Sequence, residues 1–391
     1  MITVDKAKEI LQSQKFPTVE ERLSLIQARG RFLSEPIFSP MDVPSFDNSA
    51  MDGYAFSWSE GINSLELVGE VPAGKSSDLI LKSGQAVRIF TGAPIPKGSD
   101  TVVQQEKVRK EGDKVFFDPA DSNLGMHVRK KGAQCQNGDL IAQKGSLLTP
   151  GMISLLASVG VTEVQVYATP KVALLITGDE IQEIGTNLSH GHIYNANGPA
   201  LTAWLSDMGV KDIRTIKVND EKSEVIDSVK KALEWADLIL ITGGISVGDY
   251  DFVKQALSEN RVKELFYKVS QRPGKPLFAG RTSSQMVFAL PGNPASVLSC
   301  FMNYVKPWIR GQMGYSNTWE NWELLPMAQS HVSKVRLTVF LKSKIRNGKV
   351  EVLTGQESFN LFAFGEADGF AEIPMGSEEI GSGDLVKFYK W

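Results

Sequence analysis

Asp237–Asp251 reads DLILITGGISVGDYD, and the fold turns on how this stretch is interpreted. Leu238, Ile239, Leu240 and Ile241 show no polar alternation, the pattern of a central parallel strand covered on both faces. Two glycines, a hydroxyl residue, a third glycine and two acids follow. Phe252–Leu257 then reads as a helix, with Asp249 as its N-cap and Asp251 in its first turn. A strand that passes through small residues into a helix start offers free backbone N–H groups to a phosphate. Carboxylates beside such an anion make sense with a divalent cation between them. A tight strand-to-helix turn with a capping aspartate accounts for the same residues, and this stretch alone leaves both readings open.

The same texture extends outward on both sides. Lys171–Ile176 is an apolar strand ending in Thr177-Gly178-Asp179-Glu180. A loop with Tyr194, Asn195 and Asn197 leads into a helix carrying Leu201, Trp204, Leu205 and Met208. Ile213–Val218 predicts a strand and Ser223–Trp235 an amphipathic helix. A helix to Asn260 and a strand over Leu265–Val269 precede Arg272-Pro273-Gly274-Lys275-Pro276. The strand Met286–Leu290 then ends in Pro291-Gly292-Asn293-Pro294-Ala295-Ser296, which opens a long helix through Val305. Alternating strands and helices with Gly-rich polar loops predict an open doubly wound sheet with a pocket at its carboxyl edge. Four loops are expected to converge there: Thr177–Glu180, Gly243–Asp251, Arg272–Pro276 and Pro291–Ser296. Neither GxGxxG nor GxxxxGK[ST] occurs at these loops, which disfavours a dinucleotide site or a Walker ATPase.

The flanks differ in character. Residues 1–35 read as two helical pieces, Val4–Leu11 and Val19–Arg29, separated at Phe16-Pro17-Thr18 and stopped by Gly30. From Pro36 to about residue 139 the chain is β-like, with dense glycine and proline. FDNSAMDGYAF (Phe46–Phe56) puts Asp47, Asn48, Ser49 and Asp52 close together, as a network of turn bonds or as a carboxylate-bearing ligand loop. Thr91-Gly92-Ala93-Pro94 makes a rigid turn, and Arg129, Lys130 and Lys131 form a basic run that suits a solvated edge or an anion contact. Leu147–Val159 predicts a helix capped by Thr149 with Pro150 in first position. It is expected to join residues 1–35 in a split domain with 140–168. Residues 316–391 read as a small all-β domain, with Phe359, Phe362, Phe364 and Phe370 in its core.

A chain of 391 residues exceeds one ordinary core, so two to four domains are expected. A net charge of -3 without a basic tail argues against nucleic acid as the partner. Cys135 and Cys300 stand far apart, which excludes a disulfide framework or a CxxC knuckle. The four histidines have no zinc spacing. No apolar run reaches 18 residues and the first residues lack a signal core, so a cytoplasmic protein without membrane contact is expected.

FDNSAMDGYA (Phe46–Ala55), RIFTGAP (Arg88–Pro94), TGDE (Thr177–Glu180), GGISVGDYD (Gly243–Asp251), PGKP (Pro273–Pro276) and LPGNPAS (Leu290–Ser296), in that order, resemble the molybdopterin molybdenumtransferases of the MoeA/gephyrin E-domain type. The resemblance covers nearly the whole chain. It implies a multidomain α/β plus β fold: a split elongated domain (1–35 and 140–168), a β-rich insertion (36–139), a doubly wound molybdopterin-binding α/β domain (169–315) and a C-terminal β-barrel (316–391). It implies insertion of molybdenum from molybdate into adenylated molybdopterin, with release of AMP and use of Mg2+. It also implies a homodimer whose site lies between two subunits, and transient contact with the adenylyltransferase and with recipient molybdoenzymes.

Carried over by motif, Asp52, Glu180, Asp251 and Lys275 are the catalytic candidates. Thr91, Arg129, Thr177, Gly243, Gly244, Ser246, Gly248, Arg272, Pro291, Asn293, Pro294 and Ser296 are the binding candidates, and Asp249, Asp251 and Glu180 the metal candidates. Asp220 falls near a further family aspartate. Four positions depart from the family pattern. Ala133 and Gln134 follow Gly132 where an acidic pair is usual, Arg272 replaces a lysine, and Asn195 stands where aspartate is frequent. Gln134 keeps a non-catalytic pterin carrier in view. An adenylyltransferase, disfavoured by the flanking domains, and an unrelated phosphate-metabolising α/β enzyme stay open beside it.

Overall fold

The computed structural model describes residues 1–14, 16–75, 78–245, 252–333 and 335–391. They divide into two compact units. One comprises Met1–Glu21, Gly30–Ser34 and Val166–Trp391; the other comprises Arg22–Arg29 and Glu35–Gln165.

The larger unit is built on a six-stranded sheet. Its order is Ile213–Val218, Val172–Thr177, Leu238–Thr242, Met286–Leu290, Phe278–Arg281 and Lys263–Tyr267. The first four run parallel and the last two antiparallel. Leu238–Thr242 is buried along its whole length, as its unalternating apolar residues require. Ala173, Ile239 and Val287 point to one apolar layer with helices Lys222–Leu233 and Phe252–Glu259. Leu174, Leu240 and Phe288 point to the other, with Leu201 and Leu205 of Asn197–Asp207 and the helix beginning at Pro294. That last helix passes through a π-helical turn, Phe301–Val305, and runs on to Gln312, beyond its expected end.

A second sheet in the same unit carries the C-terminal residues. Gln271–Arg272, Thr338–Arg346, Gly369–Ile373, Leu385–Lys390 and Glu323–Pro326 follow one another in it, and Lys349–Val352 pairs with Thr338–Arg346. Gln271–Arg272 thus leaves the α/β block to lie parallel to Thr338–Val339. Phe340, Phe370 and Tyr389 belong to the same buried cluster as Leu174 and Leu240, so the two sheets share a core.

Two expectations fail here. Val19–Arg29 is not helical: Glu20–Ser24 is a strand followed by turns. The backbone is committed elsewhere, since Ala168 N–H donates to Val19 O at 2.8 Å and Leu25 N–H donates to Thr162 O at 3.1 Å. Nor are Phe359 and Phe362 core residues, being 77% and 91% exposed, whereas Phe370 is buried and Phe364 packs on it.

The smaller unit holds a six-stranded sheet ordered Thr101–Gln104, Gly53–Phe56, Gln85–Ile89, Ser64–Val71, Lys114–Phe117 and Val108–Glu111. Tyr54 and Phe56 face one apolar cluster and Ala55 the other, so alternation along one strand serves both faces. Helix Pro150–Ser158 starts as expected, with the Thr149 hydroxyl accepting from Met152 N–H.

Candidate active site

Strand order reverses at Val172–Thr177, which has Ile213–Val218 on one side and Leu238–Thr242 on the other. Ligands of open α/β sheets bind outside the carboxyl ends at such a reversal. A cavity of about 580 Å³ lies there. Thr177, Glu180, Gly243, Gly244, Asn293 and Pro294 all line it, so three of the four loops meet in one place.

Local geometry explains why these residues are small. Gly243 has φ +86°, and a Cβ there would lie 2.6 Å from Thr177 O and 2.9 Å from its hydroxyl. Gly244 has φ +63°, and a Cβ there would meet a Val253 methyl at 2.5 Å. Side chains are excluded twice over, by conformation and by space, which leaves the backbone bare to a ligand. Thr177, buried, donates its hydroxyl to Thr242 O at 3.2 Å, while Gly243 N–H donates to Leu290 O at 3.2 Å. Three strand ends are thereby tied edge to edge. Asn197 donates its amide to Gly292 O at 2.8 Å, fixing the Pro291–Pro294 turn to the start of a helix. Asn195 accepts Gly198 N–H at 2.9 Å, a helix-capping role that an amide fills as well as a carboxylate.

The cavity is acidic at one part. Glu180 and Asp220 line it, and Asp220 N–H donates to the Asp179 carboxylate at 2.9 Å. Partial withdrawal of the Asp220 carboxyl from water, then the nearby Asp179 and Glu180 charges, raise its pKa above the ordinary aspartate range. Although the residue as a whole stays accessible, its charge is disfavoured by neighbours of the same sign. Among the described residues no group of three or more His, Cys, Asp or Glu side chains is set to hold a metal ion. Ser246, Gly248, Asp249 and Asp251, four of the sequence candidates, lie outside the described residues.

The fourth loop faces elsewhere. Arg272, Lys275 and Ser296 line a second cavity of about 540 Å³, together with His331, Ser333 and Ser358 of the C-terminal part. The Lys275 turn is held from within. Buried Gln271 donates its amide to Pro273 O at 3.1 Å and Gly274 O at 3.3 Å, and itself accepts from the buried Tyr304 hydroxyl. Val269 N–H donates to Lys275 O at 3.0 Å. Two exposed cations, Arg272 and Lys275, on a backbone turn held in place, with several hydroxyls beside them, suit a small oxyanion. Asn293 of the first cavity donates to Ser358 Oγ of the second at 2.9 Å, so the two spaces adjoin at this hydrogen bond.

Asp52, Thr91 and Arg129 belong to the smaller unit. One Asp52 oxygen accepts from Thr91 N–H at 2.7 Å and from its hydroxyl at 2.8 Å. These bonds hold the Asp52 pKa below the ordinary range. Asp47 instead ties down the basic run, accepting from Lys131 N–H at 2.7 Å and Lys130 Nζ at 2.9 Å. Exposed Arg129 sits in a two-residue strand paired with Asn48–Ser49. Of the same acidic loop, then, Asp47 acts as scaffold and Asp52 is left at an accessible turn. Asn197 and Phe359 also line the cavity, and neither is marked in the sequence: a lone asparagine at a helix start and an aromatic in a distant β domain carry no local signal for a ligand.

Comparisons with known proteins bear on the family and the fold of the chain. Residues 2–160 match the MoeA N-terminal region (domain I and II), 173–311 a probable molybdopterin binding domain, and 329–391 the MoeA C-terminal region (domain IV). The chain is 36% identical over 384 residues to a molybdopterin molybdenumtransferase of Nostoc sp., covering 94% of this chain and 87% of that protein. It is 35% identical to one of Haemophilus influenzae, covering 99% and 98%. A solved molybdopterin biosynthesis MoeA protein from Pyrococcus horikosii superposes with a TM-score of 0.84 at 30% identity, covering 100% of this chain and 99% of that one. The chain belongs to the MoeA family of molybdopterin molybdenumtransferases.

Proposed function

We propose that this protein inserts molybdenum from molybdate into adenylated molybdopterin and releases AMP. The observation that carries the reading is the pairing of two adjoining cavities: one bounded by bare glycine backbone and acids, the other by Lys275, Arg272 and hydroxyls. The first suits a pyrophosphate-linked ligand, since the Gly243–Gly244 backbone can approach it closely. The second suits molybdate, a dianion that needs fixed positive charge in a partly dry space.

The first cavity offers Mg2+ two carboxylates, Glu180 and Asp220, which fall short of a full protein metal site among the described residues. The raised Asp220 carboxyl, crowded by Asp179 and Glu180, is the arrangement that a divalent ion relieves. Glu180 and Asp220 would hold it, with Asp249 and Asp251 as further candidates beyond the described residues. Bound there, it would supply charge neutralisation for the phosphate oxygens. The chain's own residues bind and orient: Thr177 fixes the glycine turn, Asn293 bridges the two spaces, and Lys275 sets the oxyanion. Asp52 is assigned a catalytic role, ionised through its two bonds from Thr91.

A homodimer, transient contacts with the adenylyltransferase and recipient molybdoenzymes, and a cytoplasmic location are part of the same proposal. No helix among the described residues is long and apolar enough to cross a membrane. Purified protein incubated with adenylated molybdopterin, magnesium and molybdate should yield metal-loaded cofactor and AMP. Tight pterin binding without turnover would indicate a carrier, and ATP-dependent adenylation of molybdopterin would indicate an adenylyltransferase.

A further inference from the structure

Phe359 stands at the first cavity with 77% of its surface exposed, and Leu361 of the same loop lines that cavity too. An exposed ring on a loose loop would mean little, but this loop is built. Lys342, 2% exposed, donates its ammonium to three carbonyl oxygens: Gly355 at 2.5 Å, Asn360 at 2.9 Å and Glu357 at 3.2 Å. A buried ammonium needs such partners, so withdrawing Lys342 from water fixes the path of residues 355–360. The Gln356 side chain bonds both the N–H and the carbonyl of Lys342, at 3.0 and 2.8 Å. Asn360 Oδ1 accepts Phe362 N–H at 3.1 Å, and Ser358 Oγ accepts from Asn293 at 2.9 Å. The loop is therefore locked to the second sheet and to the Asn293 turn, and its fixed form holds an apolar ring in water at the mouth of the ligand space. A rigid, solvent-facing aromatic beside a ligand-sized cavity is a preorganised contact for a flat ligand.

We infer that Phe359 is a stacking platform for a flat heteroaromatic ring of the ligand that occupies this cavity. The inference rests on the proposed function, whose substrate carries two such rings, adenine and pterin, and both share the π-face that a phenyl ring takes. Tyr194, the other aromatic among the described lining residues, has its hydroxyl donating to Thr186 O at 2.8 Å and is tied to its own loop. Phe359 instead comes from the C-terminal part of the chain and gives that part a direct role in substrate recognition.

The test is calorimetric binding of AMP and, anaerobically, of molybdopterin to the full-length protein with magnesium, for wild type, Phe359→Ala, Phe359→Leu and Phe359→Tyr. Phe359→Ala should weaken one of the two ligands by roughly ten-fold or more. Phe359→Leu should also weaken it, whereas Phe359→Tyr, which keeps the ring face, should stay within about two-fold. The melting temperature should not move, because the ring is exposed. Loss confined to AMP assigns the platform to adenine, and loss confined to molybdopterin assigns it to pterin. Unchanged affinity for both ligands in Phe359→Ala, or equal loss in Phe359→Tyr, overturns the platform while the activity remains measurable in the wild type. A wild-type protein that binds neither ligand overturns the platform and the functional reading together.

Discussion

At the scale of single residues, chemistry follows from which acids are already satisfied. Asp47 is consumed by Lys130 and Lys131, while the Asp52 carboxylate accepts from Thr91 at an accessible turn. Asp52→Ala should abolish metal insertion while molybdopterin binding and the melting temperature stay near wild type, and insertion at the wild-type rate would remove Asp52 from the reaction. Because Thr91 lowers the Asp52 pKa, the carboxylate persists as pH falls below the usual aspartate range. The stability that these bonds contribute is present above the unfolded-state pKa and is lost only as pH drops through the lower folded value. Thr91→Val should accordingly shift the acid limb of the pH–rate profile upward. Gly243→Ala, with a Cβ 2.6 Å from a backbone oxygen at a positive φ, should cost about 2 kcal/mol or more in urea unfolding.

Elements were legible where one period or one cap settled them. Ile213–Val218 and Met286–Leu290 appear as strands with the bounds that their apolar residues define, and Thr149-Pro150 opens its helix. Glu20–Ser24 was not legible as a strand, because the backbone groups that pair with this segment lie more than a hundred residues away. The exposure of Phe359 was equally hidden: an aromatic run in a β domain reads as core until Lys342 is seen to hold the loop outward. Within the helix that begins at Pro294, Lys306 is buried, its ammonium near Met302 Sδ at 3.8 Å and over the Trp204 ring. Burial first, then Arg310, lowers its pKa to about 8, against a smaller opposing effect of Asp207. Below pH 8 it is charged in folded and unfolded chains alike, and the folded chain bears the cost of burying it. Between about 8 and 10.5 the unfolded chain binds the proton that the folded chain lacks, so stability rises with pH. Lys306→Met should therefore raise stability at pH 7 by roughly 1–3 kcal/mol and flatten this rise. Urea midpoints at pH 7 and 9.5 check both parts.

On the scale of the whole molecule, the order of six motifs made the family readable, and the α/β sheet followed from alternating apolar runs. The division of four loops between two cavities was not readable, since it depends on Gln271–Arg272 leaving the α/β block to join the C-terminal sheet. That crossing, with Phe340, Phe370 and Tyr389 in the core of the α/β block, makes the C-terminal part a structural necessity. A chain ending at residue 315 should lose the cooperative transition of the full protein and aggregate on purification. A soluble truncated chain with an unchanged melting temperature would contradict the shared core.

The hydrogen bond from Asn293 to Ser358 has a consequence for selectivity. On the proposed assignment, the nucleotide-bearing ligand and the incoming tetrahedral oxyanion would be recognised in separate compartments with one thin common wall. Ser333 and His331 line only the second cavity, so Ser333→Ala or His331→Ala should change molybdate affinity in calorimetric titration while leaving AMP affinity near wild type.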